Sequence, residues 1–240
     1  MSEIVVITAH VGDFVWRAGG AIALHRRAGH GVTVVCLSCG ENGESNLAWQ
    51  DEMADTASVV ATRQAEAEAA AKALGVEDLR ILDLGDYLLP KDPEIPYRLA
   101  EILREERPSL ILTHPERDPS NLDHVRTHEM VLEARMIAQA PGRGRNHVIP
   151  AQVMCFEPHQ PELCGFSPDV IIDITEVWPA KEAAMRCMPT QRNLWDYYDR
   201  VARQRGAQAG RRSARPTLQG EAYQAIFPII LPTLPLGVPA

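Results

Sequence analysis

His10 and Asp13 stand three positions apart at the end of the run Val5-Val6-Ile7-Thr8-Ala9, after which the pattern turns helical through Gly19-Gly20. A β-favouring run that delivers an imidazole and a carboxylate reads as a first strand presenting two metal-type ligands at its carboxyl end. In an open α/β sheet that end faces the ligand crevice. A second cluster repeats the theme: Ser109-Leu110-Ile111-Leu112-Thr113 passes into His114, and His124 and His128 follow on a helix capped by Ser120 or Asn121. A catalytic zinc takes three protein ligands from His, Asp or Glu, leaves a position for water and lowers that water's pKa to about 7. His10, Asp13 and His124 supply such a set. His128, one turn on along the same face, is a rival third ligand or a supporting group. His114 either faces the site or lies under the loop.

Strand order joins the two clusters. Apolar runs at Val32–Leu37, Leu79–Leu84, Ser109–Thr113, Val153–Phe156 and Val170–Ile174 alternate with helical segments near Phe14–Ala28, Thr56–Leu74, Tyr97–Glu106 and up to Gln139. This alternation predicts an α/β fold, a Rossmann-like doubly wound and mostly parallel sheet. In strand order 3-2-1-4 the first and fourth strands are neighbours whose connections leave in opposite directions, so the site is expected at their carboxyl ends. The polar loop Gly40-Glu41-Asn42-Gly43-Glu44-Ser45 follows the second strand and can reach it. Gly19-Gly20 inside a helix costs stability and implies close backbone packing. A helical pattern over Val177–Gln204, with Pro179 at its start and Pro189 as a kink or break, leads through a basic stretch from Arg200 to Arg215 into a final segment that packs or extends as a tail. One domain over residues 1–240 is expected, with a C-terminal helix and tail from about 176.

Composition narrows the partners. A net charge of −8 argues against nucleic acid, whose phosphates are held mainly by clustered Lys and Arg; a small polar substrate fits better. No run reaches the roughly 18 apolar residues of a membrane span, and the N-terminus has no signal pattern, so a cytoplasmic protein is expected, with a homo-oligomer left open. Five scattered cysteines do not make a disulfide framework, and Cys36 and Cys39 read as buried thiols pointing to opposite faces of a strand. His25, His30 and His147 read as solvated. Arg63 and Glu66, an i, i+3 pair, read first as a surface ion pair; the functional alternative is that Arg63 grips a substrate carboxylate through its planar fork.

His10-Val11-Gly12-Asp13 with Gly19-Gly20, then Cys39-Gly40-Glu41, Arg63-Gln64-Ala65-Glu66, Asp123-His124, and Val170-Ile171-Ile172-Asp173-Ile174-Thr175 leading to Lys181 and Gln191, resemble in order the motifs of the LmbE/PIG-L family of zinc-dependent deacetylases. The match runs from about Ile4 to Gln191. It implies that zinc is held by His10, Asp13 and His124. Two positions depart from the family pattern. The first motif is usually His-Pro-Asp-Asp, whose first Asp is the general base, and here that place is Gly12. A His that steadies the oxyanion is replaced by Asn121. Each role commonly contributes a factor of about a hundred or more, so a poor deacetylase is expected.

Phe14 to His25 and Phe156-Glu157-Pro158-His159-Gln160-Pro161-Glu162-Leu163-Cys164 resemble a hydratase branch of the same family. That resemblance implies addition of water to the carbon–carbon double bond of an unsaturated oxo-tricarboxylic acid of gallate degradation. Arg63, by its family position, then Arg17 and Arg126, are the expected carboxylate partners, with Asn121 also placed for substrate. Proton transfer is assigned first to His159, with Asp123, Glu44 and His128 behind it. The rival readings are an N-acyl sugar deacetylase using Asp123 or a relocated carboxylate, and a binding domain that has lost chemistry.

Overall fold

The computed structural model describes residues 3–143, 146–213, 216–231 and 233. Strands β1 (Ile4–His10), β2 (Val32–Ser38), β3 (Asp78–Ile81), β4 (Leu110–Thr113) and β5 (Gln152–Phe156) run parallel, and the helices that connect them are α1 (Asp13–Arg27), α2 (Thr56–Ala73), α3 (Glu94–Glu106) and α4 (Leu122–Gln139). Beyond them lie α5 (Pro161–Cys164), β6 (Val170–Asp173), α6 (Trp178–Arg186), α7 (Trp195–Gly210) and β7 (Gly220–Ala225). The sheet order is β3-β2-β1-β4-β5-β7-β6. β1 is therefore flanked by β2 and β4, and Ile4 pairs with both Val32 and Leu110, as the 3-2-1-4 expectation requires.

β1 is buried along its whole length, because helices cover both faces of the sheet. Alternate side chains go to opposite layers: Val5, Ile7 and Ala9 join a core with Leu99, Leu103, Val131 and Ala134 of α3 and α4. Ile4 and Val6 join Phe14, Val15, Ala18 and Ile22 of α1 and Ala67 and Ala70 of α2. Among the described residues, no helix is long and apolar enough to cross a membrane.

The helical pattern over Val177–Gln204 breaks at Pro189 into two helices, separated by a 3-10 segment at Pro189–Leu194. Two expectations are corrected. β3 ends at Ile81 and not at Leu84: Asp83 and Gly85 adopt positive φ (51° and 76°) and interrupt the regular ladder, although the Leu82 and Leu84 N–H groups still donate to Cys36 O and Leu37 O. The final stretch is no mere tail: Gly220-Glu221-Ala222-Tyr223-Gln224-Ala225 inserts as β7, antiparallel to both β5 and β6. That run has no β-branched residue, so nothing local announces a strand, and its pairing is a tertiary decision. Ala214, Arg215 and most of the segment after Leu231 lie outside the described residues.

β7 also explains Gly19-Gly20. The Glu221 carboxylate accepts the N–H groups of Gly20 (2.6 Å) and Ala21 (2.8 Å) and the Tyr223 hydroxyl (2.7 Å). Lys181 Nζ neutralises it at 2.6 Å and donates to Trp16 O at 2.9 Å. The helix that carries Asp13 and Arg17 is thus pinned in mid-length by a buried ion pair. A Cβ at Gly20 would stand 2.6 Å from Ile174 Cγ2 and 2.8 Å from Glu221 Oε1. Gly20→Ala is expected to destabilise the protein by about 1–3 kcal/mol through overpacking, despite the better helix propensity of alanine. Urea unfolding checks this, and an unchanged midpoint would contradict it.

Candidate metal centre

Parallel strands β1 and β4 bring the two histidine clusters to one crevice. His10 is the last residue of β1, Asp13 opens α1, and His124 lies in the first turn of α4, whose N-cap Asn121 accepts the N–H of Asp123 at 3.0 Å. His10 Nδ1 stands 3.3 Å from Asp13 Oδ2, and His124 Nε2 stands 3.6 Å from Asp13 Oδ1. All three are buried.

The far nitrogen of each ring is already engaged, and this sets what the near one can do. His124 Nδ1 is 2.8 Å from Asp118 Oδ2, and His10 Nε2 is 3.5 Å from Asp123 Oδ2. A carboxylate can only accept, so those nitrogens carry the protons of the neutral rings, and in that form His10 Nδ1 and His124 Nε2 offer lone pairs. Both are buried without a hydrogen-bond partner. Buried polar atoms are almost always paired, and two orphaned imidazole nitrogens converging on one carboxylate are a candidate donor set for a divalent metal.

The surrounding charge has the matching sign. Burial opposes a charge on His10, but the carboxylates of Asp123 and Asp13 overcome it and push its pKa up to about 10, so a cation binding there would displace a proton from Nδ1. Asp123 is itself buried, which opposes ionisation, yet His10 and the N–H groups of Tyr87 and Leu89 bring it down to about 2. Cysteine takes no part. Cys36, Cys39 and Cys155 are buried free thiols, and burial pushes each up to about 12.

His114 is stacked on His124, with ring centroids 4.0 Å apart. Distance alone admits two overlapping ligand trios, His10/Glu44/His124 and Asp13/His114/His124, each within 4.8 Å. His114 Nε2, however, accepts the Ala9 N–H at 3.0 Å, so that lone pair is taken and the ring acts as a floor.

Glu44 lies beside His10 and His124, on the β2–α2 loop. Asn121 Nδ2 donates to its Oε1 at 2.9 Å and Gln191 Nε2 to its Oε2 at 3.1 Å. Arg17 lies one turn after Asp13, donating from Nε to Asp13 Oδ1 (3.1 Å) and from Nη1 to Glu157 O (3.3 Å). His159 follows β5, its ring stacked on Tyr197 at 4.0 Å, while the Tyr197 hydroxyl donates to its backbone carbonyl. Burial, then Arg17, holds its pKa below the usual imidazole value.

Four expected roles are corrected by placement. Asp123 stands behind His10, and its oxygens are spent on that imidazole (3.5 Å) and on the N–H groups of Leu89 (2.7 Å) and Tyr87 (2.9 Å). His128 lies a turn deeper and engages His114 O at 2.9 Å. Arg126, two residues past His124, points about 200° around α4. It donates to Leu89 O and lines a groove with Lys91, Asp92 and Glu133, away from the centre. Arg63 forms no surface pair: it is fully buried, bonded to Glu66 (2.6 Å), Thr190 Oγ1 (2.6 Å), Gln191 Oε1 (2.8 Å) and Cys39 O (3.4 Å). Its planar fork is used, but on the protein and not on a ligand.

Sequence reasoning missed Asp118, and it named Gln191 only at the end of a family motif, without a role. Asp118 lies in the irregular loop before α4, where no periodicity reports direction. Gln191 enters from a 3-10 segment 147 residues after Glu44. Gly12 is now explained as well, since a Cβ there would stand 2.5 Å from Gln191 Oε1 and 2.8 Å from Trp16 Nε1.

Residues 5–135 match the family model described as PIG-L, GlcNAc-PI de-N-acetylase. The chain belongs to the PIG-L family. Within that family, a 4-oxalmesaconate hydratase from Pseudomonas putida is 46% identical over 235 residues, 95% of this chain and 91% of that protein. The crystal structure of a 4-carboxy-2-hydroxymuconate hydratase from the same organism has a TM-score of 0.94 at 45% identity, covering 98% of this chain and 100% of that one. A diacetylchitobiose deacetylase from Thermococcus kodakarensis is 26% identical over 89% of this chain and 81% of its own length.

The buried Arg63–Glu66–Thr190 set carries a direct test. Glu66→Ala strands the Arg63 guanidinium without its counter-charge and is expected to cost about 3–5 kcal/mol in denaturant unfolding. A loss below about 0.5 kcal/mol, the range of a surface pair, would contradict this placement.

Proposed function

We propose that this protein is a metal-dependent hydro-lyase that adds water to the carbon–carbon double bond of 4-oxalomesaconate, whose enol form is 4-carboxy-2-hydroxymuconate, giving 4-carboxy-4-hydroxy-2-oxoadipate. One observation carries the reading: two buried, unpartnered imidazole nitrogens converge on Asp13 beside a glycine at position 12, with Gln191 Oε1 and Trp16 Nε1 in the space that a Cβ would take. A metal donor set is therefore present where an amide hydrolase's carboxylate base at position 12 is not. The 46% identity to a hydratase over nearly the whole chain supports the same choice.

His10, Asp13 and His124 would hold the ion, zinc by donor type, with Glu44 at its open side. Bound there, a divalent cation supplies Lewis acidity to an oxygen of substrate or water. The chain's own groups divide the remaining tasks. Water's hydroxyl goes to the fully substituted alkene carbon and a proton goes to the neighbouring CH carbon, so one group must accept a proton and another must deliver one. Glu44, acceptor-only when ionised and held by two side-chain amides, suits the accepting role; His159 suits delivery, its proton replenished from solvent. Arg17 is the carboxylate partner. Among the described residues its Nη2 has no protein partner, while Nε and Nη1 fix the plane of the fork. We place the activity in cytoplasmic gallate breakdown.

The second reading, an N-acyl sugar deacetylase, follows from the family description, and one experiment separates the two. Zinc-loaded protein is incubated with 4-oxalomesaconate and, separately, with N-acetylglucosamine derivatives, following loss of the conjugated-alkene absorbance and release of acetate. Loss of that absorbance without acetate is expected, abolished by a chelator and restored by zinc. Acetate release without loss of the absorbance would overturn the proposal.

A further inference from the structure

Gly12 occupies the N-cap of α1 with φ −82° and ψ −29°, a right-handed conformation that alanine adopts without strain. The backbone therefore gives no reason for glycine at this position. The reason lies in the side chains above it: a Cβ would meet Gln191 Oε1 at 2.5 Å, Trp16 Nε1 at 2.8 Å and Arg63 Nη2 at 3.1 Å.

Gln191 is buried, and each end of its amide has a task. Oε1 accepts from Trp16 Nε1 at 3.2 Å and from Arg63 Nη2 at 2.8 Å. With two donors on the oxygen, the amide's orientation is fixed and its nitrogen must face the other way. That nitrogen donates to Glu44 Oε2 at 3.1 Å, while Asn121 holds Oε1 at 2.9 Å. Arg63 is in turn immobilised by Glu66, whose two oxygens also accept the Thr190 N–H (2.9 Å) and hydroxyl (2.6 Å). Rigidity thus passes from a buried ion pair, through one amide, to the only mobile-type side chain of the His10/Glu44/His124 trio.

We infer that Gln191, seated over the bare Cα of Gly12, is a positioning residue that holds the Glu44 carboxylate against the imidazoles of His10 and His124. This rests on the hydratase reading for its rate consequence but not for its geometry. Gly12 is then required for the space it leaves, and the 3-10 segment Pro189–Leu194 is part of the site although it bears no reacting group.

Gln191→Glu tests the inference. The variant keeps the shape and both acceptor bonds to Trp16 and Arg63, but it turns the donor facing Glu44 into a second carboxylate oxygen. A packing role would survive this change; a positioning role would not. The expected result is a fall in kcat of about 100-fold, the cost of misplacing a group by roughly 1 Å, with KM within about threefold of the parent and full zinc content. Gly12→Ala, which pushes the same flexible amide aside, is expected to behave alike. Arg104→Ala, which removes the bonds to Ala138 O and Ile137 O at the far end of α4 and lowers the melting temperature, is expected to keep the parent kcat below its melting range. Parent-like turnover in Gln191→Glu overturns the inference, as does an equal loss in Arg104→Ala. Should the parent itself fail to hydrate 4-oxalomesaconate, the hydratase reading falls alone. Crystal structures of the parent and of Gln191→Glu then decide the inference: a displaced Glu44 carboxylate supports it, and an unmoved one overturns it.

Discussion

Two imidazoles with fixed tautomers are the constraint from which the rest of the molecule follows. Asp123 takes one nitrogen of His10 and Asp118 one of His124, leaving the other nitrogen of each ring facing Asp13. Neither pairing tolerates much movement. Both are buried, and a buried carboxylate without its partner is costly, so the loops that carry them are held by further bonds. The Tyr87–Leu89 backbone clamps Asp123, Arg126 clamps that backbone, and Asn121 caps the helix that starts the second cluster.

The sheet order makes this possible. β1 and β4 are adjacent and parallel, their connections diverge, and the crevice between those connections receives both clusters from segments more than a hundred residues apart. β7 then returns from the far end of the chain to lock α1 through Glu221 and Lys181. Arg17 extends from that locked helix, which gives a long, entropically expensive side chain a single direction.

Much of this was legible in the residues. The His10–Asp13 and Asn121–His124 spacings place ligands on a strand end and a helix start, and parallel-sheet topology converts two such ends into one site. The direction of side chains around irregular segments was not legible. Asp118, Gln191 and Glu44 sit in loops or a 3-10 turn, where no period relates position to facing. Arg63 looked like a surface residue because an i, i+3 pair is the same string buried or exposed, and only the arrival of Thr190 and Gln191 decides which. β7 escaped because four of its six residues, Glu221, Ala222, Gln224 and Ala225, are helix formers and none is β-branched, so its partners supply the pattern.

Gly12 links fold to chemistry most economically. In this chain the space over Gly12 is filled by Gln191 and Trp16, and in the proposed mechanism acid–base work falls to Glu44 and His159 and not to a carboxylate at position 12. The most direct measurement of the whole account is X-ray absorption spectroscopy of the zinc-loaded protein. It should show one zinc per chain with two imidazole nitrogens and carboxylate or water oxygen at about 2.0–2.2 Å and no sulfur. A zinc–sulfur shell at about 2.3 Å, or a metal bound through a single imidazole, would contradict it.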